Sequence, residues 1–368
     1  MESMVMDDLA PIFSGKKVLV TGHTGFKGSW LAIWLSQLGA KVSGFSLNPP
    51  TNPNNFDVSN VASLMDNHHI GDIRNLELMK KIVSEEGADI IFHMAAQPIV
   101  SDGYKDPIGT FDTNIMGTAN LLEAVRHSGK PAVVVVISSD KCYENKEHVW
   151  GYRECDALGG FDPYSASKGG TEIVVSSYRN SFFNPMNFKQ HGVSLASARA
   201  GNVLGGGDWA NDRIMTDIIA CLEAGEPIKL RNPNAIRPWQ HVLEPLSGYL
   251  TLAAKLLENP DSDLCSAWNF GPQSDSTVSV KNIAELAIDI WGSGAWNDVS
   301  NSKTYHEASI LRLAIDKSTS KLGWEPQWKL QTCIDKTINW YKAYNVDNSD
   351  MLAQCQSDIA SYSQARET

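Results

Sequence analysis

The chain has 368 residues, of which 42% are hydrophobic, 20% are charged and 9% are aromatic. This is an ordinary globular composition, which excludes a wholly disordered, collagen-like or coiled-coil chain. At about 150 residues per domain, the length allows two or three folding units. The 42 acidic residues outnumber the 31 basic ones and give a formal net charge of −11. Because no run of Lys and Arg is long enough to neutralise a row of phosphates, we expect no nucleic-acid partner.

The polar and apolar patterns also exclude several kinds of site. The six cysteines have neither the Cys-x-x-Cys spacing of zinc sites nor the density of a disulfide-bonded scaffold. The nine histidines form no His-x-x-x-His pair, so we expect no metal site. The longest purely apolar run, residues 132–137, is far shorter than the about 20 residues of a membrane span, and the first residues do not resemble a signal peptide. We therefore expect a cytoplasmic protein with reduced thiols and no membrane partner.

The first 200 residues alternate short β-branched runs with longer helical patterns, which is typical of a parallel sheet covered by helices on both faces. The predicted strands are residues 17–21, 41–46, 69–72, 89–94, 132–138 and 193–198. The predicted helices between them include residues 28–38, 76–86 and 110–127. The sequence therefore predicts an α/β fold with a doubly wound parallel sheet of the Rossmann type.

After about Ala200 the alternation gives way to loops rich in Gly, Asn and Pro, with isolated helical stretches at residues 213–224 and 280–291. We interpret residues 1–200 as a dinucleotide-binding domain. Residues 201–345 are interpreted mainly as a smaller, mixed α/β substrate domain, parts of which return to the sheet. For residues 346–368 we expect a polar tail that either forms a surface helix or frays, without assigned chemistry.

A glycine-rich loop, Thr-Gly-His-Thr-Gly-Phe-Lys-Gly at residues 21–28, joins the first predicted strand to a helix. Glycines at this crossing allow a tight turn and a close approach of the backbone to a pyrophosphate, and free N–H groups at the start of a helix attract the anion. The loop therefore predicts a dinucleotide site formed by Gly22, His23, Thr24, Gly25, Phe26, Lys27 and Gly28.

The sequence indicates only weakly which dinucleotide binds. The spacing Gly-x-x-Gly-x-x-Gly differs from the commoner Gly-x-Gly-x-x-Gly, and the second strand ends at Ser46 with neither an acid for the ribose 2′-OH nor a cation for a 2′-phosphate. The choice between NAD and NADP is therefore open at this point. Asp72 is positioned to accept from the exocyclic amine of an adenine while Ile73 packs on its ring, and helix capping by Asp72 is an equal alternative.

Two pairs of proton-transfer groups are candidates for catalysis. Tyr164 and Lys168 lie four residues apart in a helical stretch, which places the phenol and the ammonium on one face. A phenol titrates near pH ~10, and one cation at ~4 Å supplies about the stabilisation that its use as a base requires. Ser139, Asp140 and Lys141 follow the fifth strand, where ligands of open parallel sheets bind. Ser139 suits a hydrogen bond to an alcohol, and the adjacent acid and amine suit the elimination of water; the plainer alternatives are surface pairs.

At these motifs the chain resembles the extended short-chain dehydrogenase/reductase family and, within it, the nucleotide-sugar 4,6-dehydratases, over most of residues 13–330. The segments that carry the resemblance are Thr-Gly-His-Thr-Gly-Phe-Lys-Gly-Ser-Trp at 21–30, Phe-His-Met-Ala-Ala-Gln-Pro at 92–98, Thr-Asn-Ile-Met-Gly-Thr at 113–118, Ser-Ser-Asp-Lys at 138–141, Gly-Gly-Asp-Trp-Ala-Asn-Asp-Arg at 206–213 and Arg-Pro-Trp-Gln-His-Val at 237–242. In the similar enzymes for dTDP-glucose and GDP-mannose a glutamate occupies the position of Lys141, which fits the CDP-glucose group instead. In 4-epimerases the positions of Asp140 and Lys141 are small or neutral, which argues against epimerisation.

The resemblance implies an NAD-dependent lyase that converts CDP-D-glucose into CDP-4-dehydro-6-deoxy-D-glucose and water, an intermediate for the 3,6-dideoxy sugars of bacterial O-antigen and lipopolysaccharide. It implies that Tyr164 takes the proton of the sugar 4-hydroxyl as hydride passes from C4 to NAD. Lys141 then acts as base at C5 and Asp140 as acid at the C6 oxygen, although the sequence leaves open which of the two is acid or base. The implied catalytic residues are Ser139, Asp140, Lys141, Tyr164 and Lys168.

The resemblance also implies the binding residues. Beyond the glycine loop, the expected cofactor contacts are Ser46, Asp72, Ile73, Ala95, Ala96, Gln97, Asn114, Tyr164 and Lys168. The phosphates of the sugar nucleotide need cations, and arginine suits them because its planar fork donates two bonds at once. The candidate substrate contacts are Gln97, Asn202, Arg213, Arg237, Asn269 and Arg312. We further expect a homodimer or a dimer of dimers.

Two alternative functions stay open. The chain could act on another nucleotide sugar, as a dTDP-glucose dehydratase or as an inverting UDP-N-acetylglucosamine 4,6-dehydratase; in the latter the catalytic Tyr follows the Lys more closely than Tyr164 follows Lys141. It could also be a sensor that binds a nucleotide without turnover. Because a sensor needs the pocket but not the proton-transfer groups, the intact pairs argue against it.

Overall fold

The computed structural model describes residues 6–273, 276–300, 311–346 and 349–365. Its strands are β1 (Lys17–Thr21), β2 (Lys41–Ser46), β3 (Asn67–Ile70), β4 (Ile90–His93), β5 (Ala132–Ile137), β6 (Val193–Ala200), β7 (Asn202–Leu204), β8 (Ile228–Leu230), β9 (Ile236–His241), β10 (Ala267–Phe270), β11 (Thr277–Ser279) and β12 (Trp296–Asp298). Its α-helices are α1 (Met6–Phe13), α2 (Phe26–Gln37), α3 (Asn55–Val58), α4 (Leu76–Glu86), α5 (Val100–Lys105), α6 (Pro107–Phe111), α7 (Gly117–Ser128), α8 (Pro163–Ser181), α9 (Phe188–His191), α10 (Ile214–Ala224), α11 (Leu243–Glu258), α12 (Val280–Trp291), α13 (Leu330–Tyr344) and α14 (Met351–Gln364).

The central sheet is parallel and has the strand order β10-β6-β5-β4-β1-β2-β3. The chain runs from β1 outward to β3 and then returns to β4 on the other side of β1, so the order reverses between β1 and β4. In open sheets of this kind, ligands bind beyond the carboxyl ends of the strands at such a reversal. The strands β4 and β5 are nearly continuous apolar runs because helices cover both faces. The predicted doubly wound α/β fold is confirmed.

Each face of the sheet carries its own apolar core. One core packs α4, α7 and α8 against the sheet, with Leu121 and Val175 fully buried in it. The larger core packs α2 and α11 against the opposite face and continues into α13, through side chains such as Trp30 and Trp340. The two helical layers fix the strand ends between them, and the residues that follow β1, β4 and β5 are positioned by that packing.

The second half of the chain builds a smaller unit on the sheet. A mixed three-stranded sheet has the order β11-β9-β7, and β7 begins two residues after β6 ends. A second small pair joins β8 to β12. The strand β10 then returns to the edge of the central sheet beside β6. The smaller unit therefore stands at the carboxyl end of the central strands, where a second ligand group can be held.

Some element boundaries differ from the sequence interpretation. The third strand is residues 67–70, two residues earlier than predicted, because it is a polar edge strand whose residues are largely exposed and carry little apolar pattern. The helix predicted at 110–127 is instead α6, a π-helical turn at Asp112–Met116, and α7. Such π-helical turns often occur at functional sites.

The segment interpreted as a polar tail contains α14, which packs against α2 and α13. One of its faces is buried, and there the hydroxyl of Tyr362 donates to Glu244 Oε2 at 2.5 Å. Of the two alternatives expected for residues 346–368, a surface helix or a frayed end, the described part forms the helix, and it differs from the expectation in that one face is buried. The buried residues recur every three or four positions among polar ones: Met351, Cys355, Ile359 and Tyr362. That spacing was the available signal.

Candidate active site

The glycine loop forms a tight connection from β1 to α2. The Gly25 N–H donates to Gly22 O at 3.1 Å, and the Gly22 N–H donates to Phe45 O on β2 at 2.9 Å. A Cβ at Gly28 would lie 2.1 Å from Gly22 O, so α2 packs on the loop more closely than any side chain allows. The loop is also tied to the end of β2, where Thr24 Oγ1 hydrogen-bonds Ser46 Oγ at 2.8 Å.

This loop fits a pyrophosphate. Gly25 is the N-cap of α2 and supplies no side-chain hydrogen bond, so no capping side chain occupies the first N–H groups of the helix. A Cβ at Gly25 would have only Gly22 O close to it, at 3.3 Å, and would fill space beside those N–H groups. Uncapped N–H groups at a helix start, with glycine in front of them, are the usual cradle for a dinucleotide phosphate.

His23 does not offer its side chain to a cofactor. The ring is fully buried, packs against Gly44, and hydrogen-bonds through Nε2 to Nδ1 of His68 at 2.6 Å. Burial, with a smaller effect of His68, lowers the pKa of His23 to about 3, so the ring is neutral. The prediction of His23 as a cofactor contact is therefore limited to its backbone, because its ring is a core residue.

The two predicted adenine contacts, Asp72 and Ile73, make contacts within the protein instead. The Asp72 carboxylate receives Arg74 Nη2 at 2.6 Å and the Arg74 N–H at 2.9 Å, and these hydrogen bonds lower its pKa despite burial. It does not cap α4, whose N-cap is Asn75. Ile73 is buried in the core, where its side chain would collide with a Cβ at Gly117. It is not the exposed platform for a ring that the sequence interpretation expects.

Beyond β4, the residues Ala95 to Gln97 are braced by the π-helical turn. Asn114 Oδ1 accepts from the Gln97 N–H at 2.8 Å, and Asn114 Nδ2 donates to Ser167 Oγ on α8 at 2.7 Å. The Gln97 side chain donates to Thr110 Oγ1 and accepts from the Ile99 N–H. Both amides therefore organise the loop and its contact with α8, and the side-chain contact of Gln97 with a substrate, predicted above, is not supported.

Tyr164 and Lys168 lie on one buried face at the start of α8. Asp162 caps this helix by accepting from the Ser165 N–H at 2.9 Å. The two side chains are 8% and 5% exposed. Burial raises the pKa of Tyr164, while a hydrogen bond with Ser139 and the charge of Arg213 act in the opposite sense. Burial lowers the pKa of Lys168 to about 8, although Glu172 opposes it.

Asp140 and Lys141 form a single 3₁₀ turn directly after β5. Ser139 Oγ donates to Asp140 Oδ1 at 2.9 Å and accepts from the Lys141 N–H at 3.2 Å. Because Ser139 also contacts the Tyr164 phenol, it joins the two pairs of proton-transfer groups. Burial raises the pKa of Asp140, and the charges of Lys141 and Lys27 act in the opposite sense. Lys141 is half-buried.

A cluster of charges stands opposite Asp140. Burial, with the charges of Arg213 and Lys168, lowers the pKa of Lys27 to about 8, while Asp140 and Asp208 oppose this. The ammonium of Lys27, predicted as part of the glycine loop, therefore faces the same site as the catalytic groups. Asp208 was not singled out in the sequence; its signal was the Gly-Gly-Asp-Trp segment that precedes Arg213.

The predicted substrate contacts separate into two groups. Arg213 is close enough to influence both Tyr164 and Lys27, and Asn202 follows Gly201, at which a Cβ would lie 3.0 Å from Asp140 Oδ2. Arg237 lies on β9, which pairs with the β7 strand that Asn202 begins. Arg213 and Asn202 therefore lie near Asp140 and Tyr164, and Arg237 lies on the strand next to Asn202.

Asn269 does not belong to this group. It is fully buried, its Oδ1 accepts from the Tyr143 hydroxyl, and its Nδ2 donates to the carbonyls of Tyr152 and Ala314. The prediction of Asn269 as a substrate donor is therefore wrong, because its amide is used within the protein. Arg312 is half-buried beside Leu311, and its carbonyl accepts from the Tyr152 N–H.

Neither a metal site nor a membrane span is found in the described residues. Within the described ranges, no group of three or more His, Cys, Asp or Glu side chains could hold a metal ion. In the same part of the chain, no helix has the length and apolar character that a membrane span requires.

Comparison with known proteins gives consistent relatives. A CDP-glucose 4,6-dehydratase of Salmonella typhimurium is 48% identical over 353 residues, which cover 96% of this chain and 98% of that protein. Among solved structures, DesIV, a dTDP-glucose 4,6-dehydratase from Streptomyces venezuelae with NAD and TYD bound, matches with a TM-score of 0.74 at 21% identity, over 88% of this chain and 96% of that chain. An epimerase from Methanothermobacter thermautotrophicus matches with a TM-score of 0.77 at 21% identity, over 95% and 98% of the two chains.

The two solved structures share the fold with this chain and differ in the reaction that they are named for, so the fold alone does not decide the chemistry. The family model for GDP-mannose 4,6 dehydratase matches residues 19–337. With the near full-length similarity to the Salmonella enzyme, this match shows that the chain belongs to the GDP-mannose 4,6-dehydratase family, among the nucleotide-sugar dehydratases of the extended short-chain dehydrogenase/reductase type.

Proposed function

We propose that this protein converts CDP-D-glucose into CDP-4-dehydro-6-deoxy-D-glucose and water, with NAD as its cofactor. The observation that carries the proposal is that Ser139 joins two sets of proton-transfer groups at the end of β5: it contacts the Tyr164 phenol and donates to the Asp140 carboxylate. An alcohol dehydrogenase needs only the first set. The name of the Salmonella relative supports the substrate, and the NAD bound to DesIV supports the cofactor.

The first set serves the oxidation of C4. NAD, when bound, would supply the acceptor for the C4 hydride and the source from which C6 is reduced. Tyr164 takes the proton of the 4-hydroxyl, and Ser139 orients the same oxygen. The phenolate that accepts this proton is stabilised by the charge of Arg213 and by Lys168, one helical turn away. Burial of both side chains excludes water and strengthens these interactions.

The second set serves the elimination of water. Lys141 takes the C5 proton, which is acidified by the new C4 carbonyl, and Asp140 gives a proton to the C6 oxygen. The C5–H and C6–O bonds break, a C5–C6 double bond forms, and one water leaves. Burial raises the pKa of Asp140, and that direction suits the role of acid. When the hydride returns to C6, Lys141 gives the proton back to C5, so the cofactor ends in its starting oxidation state.

Three polar side chains serve the sugar nucleotide. Arg213 and Arg237 would neutralise the two phosphates, and Asn202 would offer a neutral donor; the charge of Arg213 near Tyr164 and the closeness of Gly201 to Asp140 support this assignment. Their half-buried positions leave surface for a ligand.

We also propose that the active protein is at least a homodimer. The helices α6 and α8 and the π-helical turn pack on one another and carry three exposed apolar side chains: Ile108 at 76%, Met116 at 51% and Ile173 at 60%. Apolar surface of this kind marks contacts between proteins. A second copy of the chain, apposed through the same face, would cover it in a closed, symmetric arrangement.

The test is direct. Purified protein is incubated with CDP-glucose, UDP-glucose, dTDP-glucose and UDP-N-acetylglucosamine in separate reactions, with NAD, and the products are analysed by mass spectrometry for loss of one water. We expect the loss with CDP-glucose at a rate well above the others. Preferred dehydration of another sugar would change the substrate, and binding without dehydration of any would support the sensor alternative.

A further inference from the structure

A buried ion pair lies beneath the catalytic face of α8 and has no role in the mechanism above. Arg199 Nη2 on β6 donates to Glu172 Oε2 on α8 at 2.8 Å, and the two side chains are 3% and 2% exposed. Ser197 Oγ donates to the same carboxylate oxygen at 2.7 Å. Burying two charges this deeply costs free energy, which only close pairing and further hydrogen bonds offset. A neutral pair would avoid that cost, so the position of the charges needs an explanation.

The position of the pair along the helix relates it to catalysis. Tyr164, Lys168 and Glu172 are spaced by four residues, so their side chains follow one another along one face of α8. The second oxygen of the carboxylate, Glu172 Oε1, is buried and has no hydrogen-bond partner among the described residues. Arg199 and Ser197 therefore occupy one oxygen of the carboxylate, the Ser138 hydroxyl lies near it as well, and the charge of Glu172 lies one helical turn from Lys168.

The other end of the pair is anchored to the turn that carries the second catalytic set. Arg199 Nη1 donates to the Tyr143 hydroxyl at 2.7 Å, and its guanidinium lies 4.9 Å from the centre of the Tyr143 ring. Tyr143 follows Lys141 by two residues, and its hydroxyl donates in turn to Asn269 Oδ1 at 2.8 Å. The guanidinium is therefore fixed in place, and with it the carboxylate.

We propose that Glu172 is a positioning residue for the dehydratase reaction, on which this inference rests: its carboxylate, anchored by Arg199, holds the Lys168 ammonium in its charged form beside Tyr164.

The balance of charges around Lys168 agrees with this role. Burial lowers the pKa of Lys168, and the largest effect that opposes it is the charge of Glu172, followed by that of Cys142. Burial would raise the pKa of Glu172 itself, but the charge and hydrogen bonds of Arg199 outweigh it and keep the carboxylate ionised. The titratable and charged groups that face Lys168 or Glu172 from the surrounding elements are Lys27 on α2, His93 on β4, Cys142 after β5, Tyr164 and Arg179 on α8, and Arg199 on β6.

The consequence is a defined change in pH dependence. If Glu172 loses its charge, burial and the unbalanced cation Arg199 act on Lys168 together. The ammonium then loses its proton at a lower pH, and the alkaline limit of C4 oxidation falls with it. We expect a downward shift of about one pH unit from a charge one helical turn away.

Two variants separate charge from packing. Glu172→Gln keeps the shape of the side chain and removes its charge, whereas Glu172→Asp keeps the charge and shortens the side chain. The first readout is the titration of Lys168 in the cofactor-free protein, followed by NMR of the lysine ε-carbons and assigned with Lys168→Met. The second is the pH dependence of NADH formation in single turnovers with CDP-glucose. We expect Glu172→Gln to lower both midpoints by about one pH unit and Glu172→Asp to leave them near those of the unaltered protein.

A matched control uses another carboxylate that pairs with an arginine. Glu123→Gln removes a charge on α7 that pairs with Arg126 at 2.6 Å, away from Lys168, and should move neither midpoint. If Glu172→Gln does not fold, the double variant Glu172→Gln with Arg199→Gln removes both charges, avoids an unpaired buried cation, and should still lower the Lys168 midpoint.

The outcomes are distinct. Unchanged midpoints in folded Glu172→Gln, or a larger shift in Glu172→Asp than in Glu172→Gln, would overturn the proposal, because packing and not charge would then be the role of Glu172. If the unaltered protein forms no NADH from CDP-glucose, the proposed function fails; the NMR titration still decides whether Glu172 sets the charge of Lys168.

Discussion

At the scale of single residues, burial pushes four ionisable groups of the site toward their neutral forms. It raises the pKa of Tyr164 and of Asp140, and it lowers the pKa of Lys27 and of Lys168 to about 8 each. A neutral group costs less to bury than a charged one. The phosphates of a cofactor and a substrate would act on the two lysines in the opposite sense and favour their charged forms.

The phenol of Tyr164 is the group whose loss should stop the first oxidation. We expect Tyr164→Phe to lower the rate of C4 oxidation by about 10²- to 10⁴-fold, which is the usual contribution of one acid–base group, while the cofactor still binds. The measurement is the absorbance of bound NADH in a single turnover with CDP-glucose. Tyr178→Phe is the matched control, because it removes a half-buried hydroxyl from the same helix near Glu123. Near-normal oxidation by Tyr164→Phe would remove this residue from the mechanism.

The amine of Lys141 should be needed for a different step. We expect Lys141→Met to oxidise C4 and to accumulate NADH with a 4-keto sugar, because the base that removes the C5 proton is missing. Exchange of the C5 hydrogen with solvent deuterium in single turnovers reports that step directly. Lys146→Met, which removes an exposed ammonium near Glu144 on the same loop, should exchange normally. Normal C5 exchange in Lys141→Met would assign the base to another group.

Residue types and spacing predicted which side chains meet at this edge of the sheet, but not the use of every polar side chain. Ser139, Asp140, Tyr164 and Lys168 come together because parallel strand ends and the start of the next helix meet at one edge. Asn269 has the same polar character, yet its amide bonds only the protein. Sequence cannot distinguish these cases, because a satisfied buried amide and a ligand-binding one look alike until their neighbours are known.

At the scale of elements, two glycines of the loop have different roles: Gly28 is needed for packing, and Gly25 is needed for the approach of the cofactor. A methyl group at Gly28 would overlap Gly22 O, at 2.1 Å, so we expect Gly28→Ala to destabilise the fold by about 3 kcal/mol, the upper end of overpacking costs. At Gly25 the nearest atom is 3.3 Å away, so Gly25→Ala should fold. Its methyl would still occupy space at the start of α2. We therefore expect the affinity of Gly25→Ala for NAD to fall by about tenfold.

Urea unfolding and calorimetric titration with NAD test the two glycines together. The expected pattern is a loss of stability in Gly28→Ala and a loss of affinity with retained stability in Gly25→Ala. Equal NAD affinity in Gly25→Ala and the unaltered protein would contradict the close approach of a phosphate to this residue.

Sequence patterns identified long elements better than irregular ones. The strands β1 and β2 and the helix α4 begin and end where the pattern predicts, because their apolar residues face a continuous core. The π-helical turn at residues 112–116 was predicted as plain helix, since one extra residue in a turn leaves the apolar period almost unchanged. It is nevertheless what presents Asn114 to both Gln97 and Ser167.

At the scale of the whole molecule, the apolar face on α6 and α8 should determine the oligomeric state. We expect Ile173→Glu to shift the protein toward monomers, because each interface would then bury a carboxylate at the centre of the face. Light scattering after size-exclusion chromatography measures the mass. Met186→Glu, at a site 93% exposed outside this face, is the control and should leave the mass unchanged. An unchanged mass in Ile173→Glu would place the subunit contact elsewhere.

Acid should unfold the protein through its buried histidines. Burial lowers the pKa of His23, His93 and His241 to about 3 each, whereas an unfolded histidine titrates near pH ~6.5. Between these values the unfolded chain binds more protons than the folded one, so stability is complete above pH ~6.5 and falls as the pH decreases. At pH 5 each histidine contributes a loss of about 2 kcal/mol, and three such losses approach the whole stability of an average domain. Asp140 and Asp208, whose pKa values are raised by burial, act in the opposite sense.

The measurement is the urea midpoint at pH 7 and at pH 5. We expect a large decrease in the unaltered protein and, in His241→Gln, a decrease smaller by about a third, because one of three titrating groups has been removed. His127→Gln removes an exposed ring, whose side chain is 47% accessible. Its urea midpoint should decrease between the two pH values by as much as that of the unaltered protein. If His241→Gln and His127→Gln lose the same stability between the two pH values, the acid sensitivity must come from the carboxylates, such as Glu172, whose pKa is held low by its buried partner Arg199.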